Sequence, residues 1–259
     1  MKFEIRNLEE VQSDIGLARD LYDDKVQTVF IGDSNSLIVK TGMFIDVLKS
    51  LYSAFPHVER VTSYARAKTL YKKPIEDLEK IRQAGLTRLH VGLETGDRSL
   101  LEEIEKGATP EEMVEAGRKA KKAGFEYSLY VLLGMGGEEK WERHAKGTAE
   151  VLSQIDPHYI RVRTLIPQPN CRLNEAMLEG RFRLASSETI LKETKLLLEE
   201  LQVTSQFLSD HISNLLPLHG KLPEEKERMV HMIDDALRGL EEDPQLKEEM
   251  ELRRHLTNL

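Results

Sequence analysis

Residues 83–97 read Gln83-Ala84-Gly85-Leu86-Thr87-Arg88-Leu89-His90-Val91-Gly92-Leu93-Glu94-Thr95-Gly96-Asp97. A helix-like stretch ends in Ala-Gly, an apolar strand follows, and a loop of glycine and carboxylate closes it. The same order returns at Lys122-Ala123-Gly124-Phe125, through Glu126 to Leu133, into Gly134-Met135-Gly136-Gly137-Glu138. Glycine just past a helix takes the left-handed conformation that turns the chain back, so each Ala-Gly predicts a helix C-cap leading into a strand of a parallel sheet. The repeated unit is βα, and the class is α/β. In such folds the loops after the strand C-terminal ends carry the chemistry; here they collect Asp33, Glu94 and Glu138.

Outward from this stretch, periodicity and breakers predict a helix over 7–24, a strand over 26–31, a helix over 41–55 closed by Pro56 and a strand over 60–63. A helix over 74–84 leads into the strand 87–93. Thr109-Pro110-Glu111-Glu112 starts another, with threonine as cap, proline next and glutamate three residues after the cap. Strand 126–133, helix 139–153 and strand 159–166 complete five strands. The chain opens on a helix where a βα series opens on a strand. The reading is therefore a partial (β/α) barrel of parallel strands, five of six βα units visible, over residues 1–202. Residues 203–259 are read as a helical C-terminal extension, with 203–222 irregular and a helix over 223–239.

Acidic residues outnumber basic ones 45 to 37, and the sequence pI is about 5.6. Bulk charge thus gives no strong nucleic-acid signal and no anionic-membrane signal. One cysteine, Cys171, excludes an internal disulfide and any zinc site or cluster built from several thiolates of these residues. No apolar stretch approaches the roughly 20 residues that span a bilayer, and Met1 to Arg6 lack the apolar core of a signal peptide. A cytoplasmic protein without membrane contact is expected.

Each loop carries two readings. Gly32-Asp33-Ser34-Asn35 lets a ligand approach the backbone; taken alone, a tight turn capped by Asp33 is the simpler account. In the next candidate strand, alternation puts Arg88, His90, Gly92 and Glu94 on one face, against Leu89, Val91 and Leu93. A polar face in an otherwise covered parallel sheet predicts a lumen holding a polar ligand. Gly134-Met135-Gly136-Gly137-Glu138 offers backbone to a ligand, and the absence of a following lysine together with Glu138 and Glu139 favours a nucleoside over a phosphate. Arg161 and Arg163 share a face and either hold a carboxylate or pair with Glu94. Ser209, Asp210 and His211 are too close in sequence to form a hydrolase triad.

The ordered set Phe30-Ile31-Gly32-Asp33, Ser63-Tyr64-Ala65, His90 to Gly96, Leu132 to Glu138 and Thr164-Leu165-Ile166-Pro167 resembles the radical SAM superfamily, nearest its methylthiotransferase, elongator and coproporphyrinogen-oxidase branch. The resemblance implies a six-stranded partial barrel that binds S-adenosylmethionine. Gly32, Asp33 and Ser34 would receive the methionine amino group, with Ser63 in the same contacting set. Glu94 would reach the ribose or methionine portion. Leu132, Gly134, Gly136 and Glu138 would lie beside the adenine, and Leu165 and Ile166 would finish its pocket. The family's first strand is followed by Cys-x3-Cys-x2-Cys, which holds a 4Fe-4S cluster; Met1 to Arg6 resemble the sequence just after it. Cys171 cannot replace three thiolates.

Three functions follow as expectations. The first is the body of a radical SAM enzyme, redox-inactive as written, which in a complete form with upstream cysteines would generate a 5′-deoxyadenosyl radical and abstract hydrogen from a small-molecule or other substrate. Its catalytic residues stay unassigned. The second is a non-catalytic S-adenosylmethionine or nucleoside binder or scaffold. The third is a divalent-metal hydrolase or lyase using Asp33, His90 and Glu94. A missing first strand would also bare the edge of strand 26–31, predicting a homodimer or a partner chain that covers it.

Overall fold

The computed structural model describes residues 4–22, 25–169 and 171–253. In chain order the elements are α1 (Leu8–Tyr22), β1 (Thr28–Ile31), a short 3-10 turn (Ser36–Ile38), α2 (Thr41–Ala54), β2 (Arg60–Ala65), α3 (Ala67–Lys72), α4 (Ile75–Gln83) and β3 (Leu86–Glu94). Next come α5 (Arg98–Glu103), α6 (Pro110–Lys122), β4 (Glu126–Leu133), α7 (Gly137–Ile155) and β5 (Tyr159–Thr164). The chain continues through α8 (Arg172–Leu178), α9 (Ser187–Glu200), β6 (Gln206–Leu208), β7 (His219–Lys221), α10 (Lys226–Glu242) and α11 (Pro244–Arg253).

The strands lie in the sheet in chain order from β1 to β7. The pairs β1–β2, β2–β3 and β5–β6 are parallel, and β6–β7 is antiparallel. Parallel neighbours in chain order, joined by helices, make the α/β partial-barrel class that the repeated Ala-Gly units predict. Gly85 and Gly124 follow α4 and α6 with φ of 114° and 87°, the left-handed caps expected of them. At Gly85 a second constraint acts: a Cβ there would lie 2.2 Å from the Tyr52 ring, whose hydroxyl donates to the Gly85 carbonyl at 2.8 Å.

Residues 203–222 are not irregular throughout. Phe207, wholly buried on β6, extends the sheet beside β5, and β7 closes it. Three-residue strands are too short to show a period of two, which is why pattern reading passes over them. The six-residue helices α3 and α5 escape for the same reason.

The chain forms two compact units. The first comprises residues 1–92 and 115–128, the second residues 93–114 and 129–259. In the first, α2 packs against α1 and α4, and Leu48, Val61, Leu78, Ile81, Leu86 and Leu89 are wholly buried. In the second, α9 packs against α7 and α10, over Leu152, Ile160, Leu198, Phe207, Met229 and Ile233. Each such side chain contributes on the order of 1.5–3 kcal/mol. Among the described residues no helix is long and apolar enough to cross a membrane.

Candidate functional site

In the first unit, Gly32, Asp33 and Ser34 follow β1 and are exposed. A Cβ at Gly32 would meet nothing within 4 Å, so the backbone there is open to approach. The anchor of this loop is Asn35, buried, whose Nδ2 donates to Thr69 Oγ1 at 2.9 Å and whose Oδ1 accepts the Arg66 N–H at 3.1 Å. Ser63 is wholly buried, and its hydroxyl donates to the Tyr64 carbonyl at 3.1 Å. It supports the strand ends rather than offering a free hydroxyl.

The polar face of β3 is partly filled. Arg88 Nε donates to Glu126 at 2.7 Å. His90 packs against the rings of Phe30 and Tyr64, at centroid distances of 5.7 and 6.0 Å, and those two rings meet edge to face at 4.9 Å. This face of the first unit is therefore aromatic as well as polar.

In the second unit, Glu94 ends β3 with φ of 63°. Its carboxylate lies 3.0 Å from Lys106 Nζ, so the partner is this lysine and not Arg161 or Arg163. Arg161 lies 3.8 Å from Asp210, and Arg163 stacks 5.1 Å from the Tyr130 ring centroid. Beyond Glu94, the Gly96 N–H donates to Thr148 on α7 at 2.9 Å. Asp97 caps α5 through the Leu100 N–H at 2.9 Å and pairs with Arg143 at 2.6 Å. Burial raises the Asp97 pKa, but the bonds from Arg143 and Leu100 outweigh it and hold the carboxyl below its ordinary value.

The loop of three glycines is occupied by the protein itself. Gly134 has φ of 84°, and its N–H donates to both carboxylate oxygens of Glu193, at 3.0 and 3.2 Å. The Gly137 N–H donates to the Gly134 carbonyl at 3.0 Å, and the Glu138 N–H to the Arg183 carbonyl at 3.0 Å. A Cβ at Gly136 or Gly137 would come within 2.6 Å of a carbonyl oxygen, of Lys140 and Arg183 respectively. These glycines permit close internal packing. Glu138 accepts from the Ser186 N–H and the Thr189 hydroxyl, both at 2.8 Å, and so anchors the start of α9. Leu165 lies beside the turn, its N–H donating to the Leu133 carbonyl at 2.9 Å; Leu132 and Ile166 are half-buried.

Behind this loop sit two residues that the motif reading passes over. Glu193 and His144 are buried, and His144 Nδ1 lies 2.8 Å from Glu193 Oε1. The other ring nitrogen, Nε2, faces the Glu94 carbonyl oxygen at 3.3 Å. A carbonyl only accepts, so Nε2 carries a hydrogen, and one more proton lies between Nδ1 and the carboxylate. Burial disfavours the imidazolium, yet the Glu193 charge and hydrogen bond prevail and raise the His144 pKa above its ordinary value. The signal was present: Glu193 falls on the face of α9 that carries Ile190 and Leu197, a carboxylate where the helix is otherwise buried.

The tail segment after β6 fastens to β5. Asn214 Nδ2 donates to the Val162 carbonyl at 2.9 Å, and Thr164 Oγ1 donates to Asn214 Oδ1 at 3.1 Å. His211 Nδ1 lies 2.8 Å from Ser213 Oγ, which itself accepts the Thr164 N–H at 3.2 Å. These residues latch a loop to the strand. Among the described residues no group of three or more His, Cys, Asp and Glu side chains could hold a metal ion.

A chain-ordered, mostly parallel sheet flanked by helices defines an α/β fold of the partial (β/α) barrel class. A family model described as the Radical SAM superfamily matches residues 2–146, more than half of the chain, and the chain belongs to that superfamily. Its members use S-adenosylmethionine and a 4Fe-4S cluster. The heme chaperone HemW of Bacillus subtilis is 25% identical over 168 residues, covering 63% of this chain and 43% of that protein. A biotin synthase of Arthrobacter is 31% identical over 124 residues, covering 44% of this chain and 34% of the other. The chain thus spans less than half the length of these relatives. Its fold is similar to that of archaeal Elp3 from Methanocaldococcus infernus, with a TM-score of 0.59 and 11% identity over 90% of this chain and 59% of the other. It is also similar to that of the Escherichia coli coproporphyrinogen III oxidase HemN, with a TM-score of 0.56 and 14% identity over 77% of this chain and 48% of the other.

The two groups used by the family fit these residues differently. The open backbone at Gly32 and the exposed Asp33 beside it suit the amine of S-adenosylmethionine. The cluster does not fit: a single cysteine among 259 residues cannot supply three thiolates.

Proposed function

We propose that this chain is the S-adenosylmethionine-binding body of a radical SAM enzyme. The observation that supports it is the family match over residues 2–146, which runs through all three candidate loops, at Gly32 to Ser34, at Glu94 and at Gly134 to Glu138. Gly32, Asp33 and Ser34 are proposed to receive the methionine end. In the second unit, Glu94, Leu132, Leu165 and Ile166 are proposed to contact the nucleoside, with Gly134, Gly136 and Glu138 shaping the backbone of that unit's loop, while Ser63 supports the strand ends of the first unit. The cluster, when bound in members of the family, supplies the electron for reductive cleavage of the sulfonium; its thiolates would come from outside these 259 residues. The single cysteine favours, for these residues alone, ligand binding without radical chemistry.

Titration calorimetry with S-adenosylmethionine and S-adenosylhomocysteine tests the reading. Binding of either, weakened by Gly32→Ala, is the expected result, and no heat from both ligands removes the proposal. Anaerobic reconstitution should leave this polypeptide without a stable four-iron cluster; obtaining one would overturn the cluster assignment.

A further inference from the structure

Two loops of the second unit open on a residue in the left-handed region, Glu94 at φ 63° and Gly134 at φ 84°. For a non-glycine residue this conformation costs on the order of 1–3 kcal/mol unless its surroundings impose it. The buried pair bonds to the backbone of these same two residues. Glu193 accepts the Gly134 N–H with both oxygens, and His144 reaches the Glu94 carbonyl. One side chain from α9 and one from α7 thus join the end of β3 to the end of β4.

We infer that Glu193 and His144 are positioning residues, which hold the Glu94 and Gly134 backbones in the conformation that receives S-adenosylmethionine. This rests on the function proposed above. Neither side chain needs to touch the ligand: both are buried, and the backbone they bond to belongs to the candidate loops. The charged groups around His144 are few. Glu193 approaches from α9; Asp97 stands beyond the end of β3 and is held by Arg143; Glu94 turns its carboxylate to Lys106. Loss of the proton shared by the pair would set a carboxylate against an imidazole lone pair and release both loops.

The test uses the whole 259-residue chain and its Glu193→Gln and His144→Gln variants. Amide hydrogen exchange is measured without ligand and corrected for intrinsic rates, alongside the affinity for S-adenosylhomocysteine as a function of pH. In either variant, exchange should speed up by about tenfold or more in segments 94–97 and 134–138, with β5 to β7 unchanged, as expected for a lost buried hydrogen bond. Wild-type affinity should fall as pH rises, and the variants should bind about tenfold more weakly with a flatter pH profile. Unchanged exchange in a folded variant overturns the clamp. Faster exchange with unaltered affinity overturns its role in binding. If wild type binds neither ligand, the proposed function fails, while the exchange data still decide whether the clamp exists. Should Glu193→Gln not fold, His144→Gln makes the same decision, because one side-chain amide does not replace the two ring nitrogens that join Glu193 to the Glu94 carbonyl.

Discussion

The single N–H of Gly134 is shared by both carboxylate oxygens of Glu193, a side chain with no exposed surface. Truncation there leaves an amide donor and an imidazole without their acceptor in a dry interior. Glu193→Ala should therefore cost about 3–5 kcal/mol, the range for breaking a buried ion pair by removing one partner. Urea denaturation followed by circular dichroism checks this, and a loss below about 1 kcal/mol would mean that water reaches the pair.

The partner histidine gives a pH dependence whose sign is fixed. The folded pKa of His144 is raised above the value of about 6.5 for an unfolded histidine. Its contribution is complete below that unfolded value and is lost as pH rises through the folded one. Wild type should be more stable than His144→Gln by the widest margin below about pH 6.5, and the margin should shrink as pH rises above that value. Urea midpoints across this range provide the comparison, and a margin that widens with pH contradicts the pairing.

Glycines in the two candidate loops should respond oppositely to alanine. Gly137 has φ of 59°, and a Cβ there would sit 2.6 Å from the Arg183 carbonyl oxygen, so Gly137→Ala should cost about 2 kcal/mol or more. Gly32 faces open space, and Gly32→Ala should leave stability within about 0.5 kcal/mol. The readout that separates packing from binding is the pair of measurements together. Gly32→Ala is expected to keep its melting temperature and lose affinity for S-adenosylmethionine.

The contrast explains what was legible in the sequence. Helix, Ala-Gly cap and strand are local signals, so β4 matches the expected 126–133 and the sheet class follows from Gly85 and Gly124. A glycine-rich loop is ambiguous, because closeness to a ligand and closeness to a neighbouring carbonyl select the same residue. At Gly136 and Gly137 the neighbour is protein. Arg161 and Arg163, on a strand, were legible as one of two possible settings for the Glu94 carboxylate; its partner Lys106 sits in the loop after α5, where no periodicity pointed to it. Glu193 and His144 are 49 residues apart, and only the packing of α7 on α9 brings them together.

Asp97 supplies a test on the acid side. It caps α5 and pairs with Arg143, and its folded pKa is lowered, so its contribution is present above an unfolded value of about 3.9 and disappears as pH falls through the folded one. Asparagine keeps the cap and loses the charge. Asp97→Ala should cost about 1–2 kcal/mol at neutral pH and Asp97→Asn less than about 1 kcal/mol, since Arg143 is largely exposed. Equal losses in the two variants, measured by denaturant titration, would assign the effect to charge rather than to the cap.

The end of the sheet makes the last prediction. β1 pairs only with β2 among the described strands, and its four residues alternate between exposed and half-buried. Its outer backbone groups lack a ladder, and no lysine, arginine or proline lies within Thr28-Val29-Phe30-Ile31 to discourage another strand. Phe30, 47% exposed, adds apolar surface to that edge. Self-association that grows with concentration is expected in multi-angle light scattering. The Gln27 carbonyl accepts from the Arg60 N–H of β2, so alternation turns the Thr28 N–H to the open side, and Thr28→Pro should suppress association if β1 is the contact, because it removes a donor that an added strand would need. A monomer at every concentration would instead mean that the β1 edge is already covered.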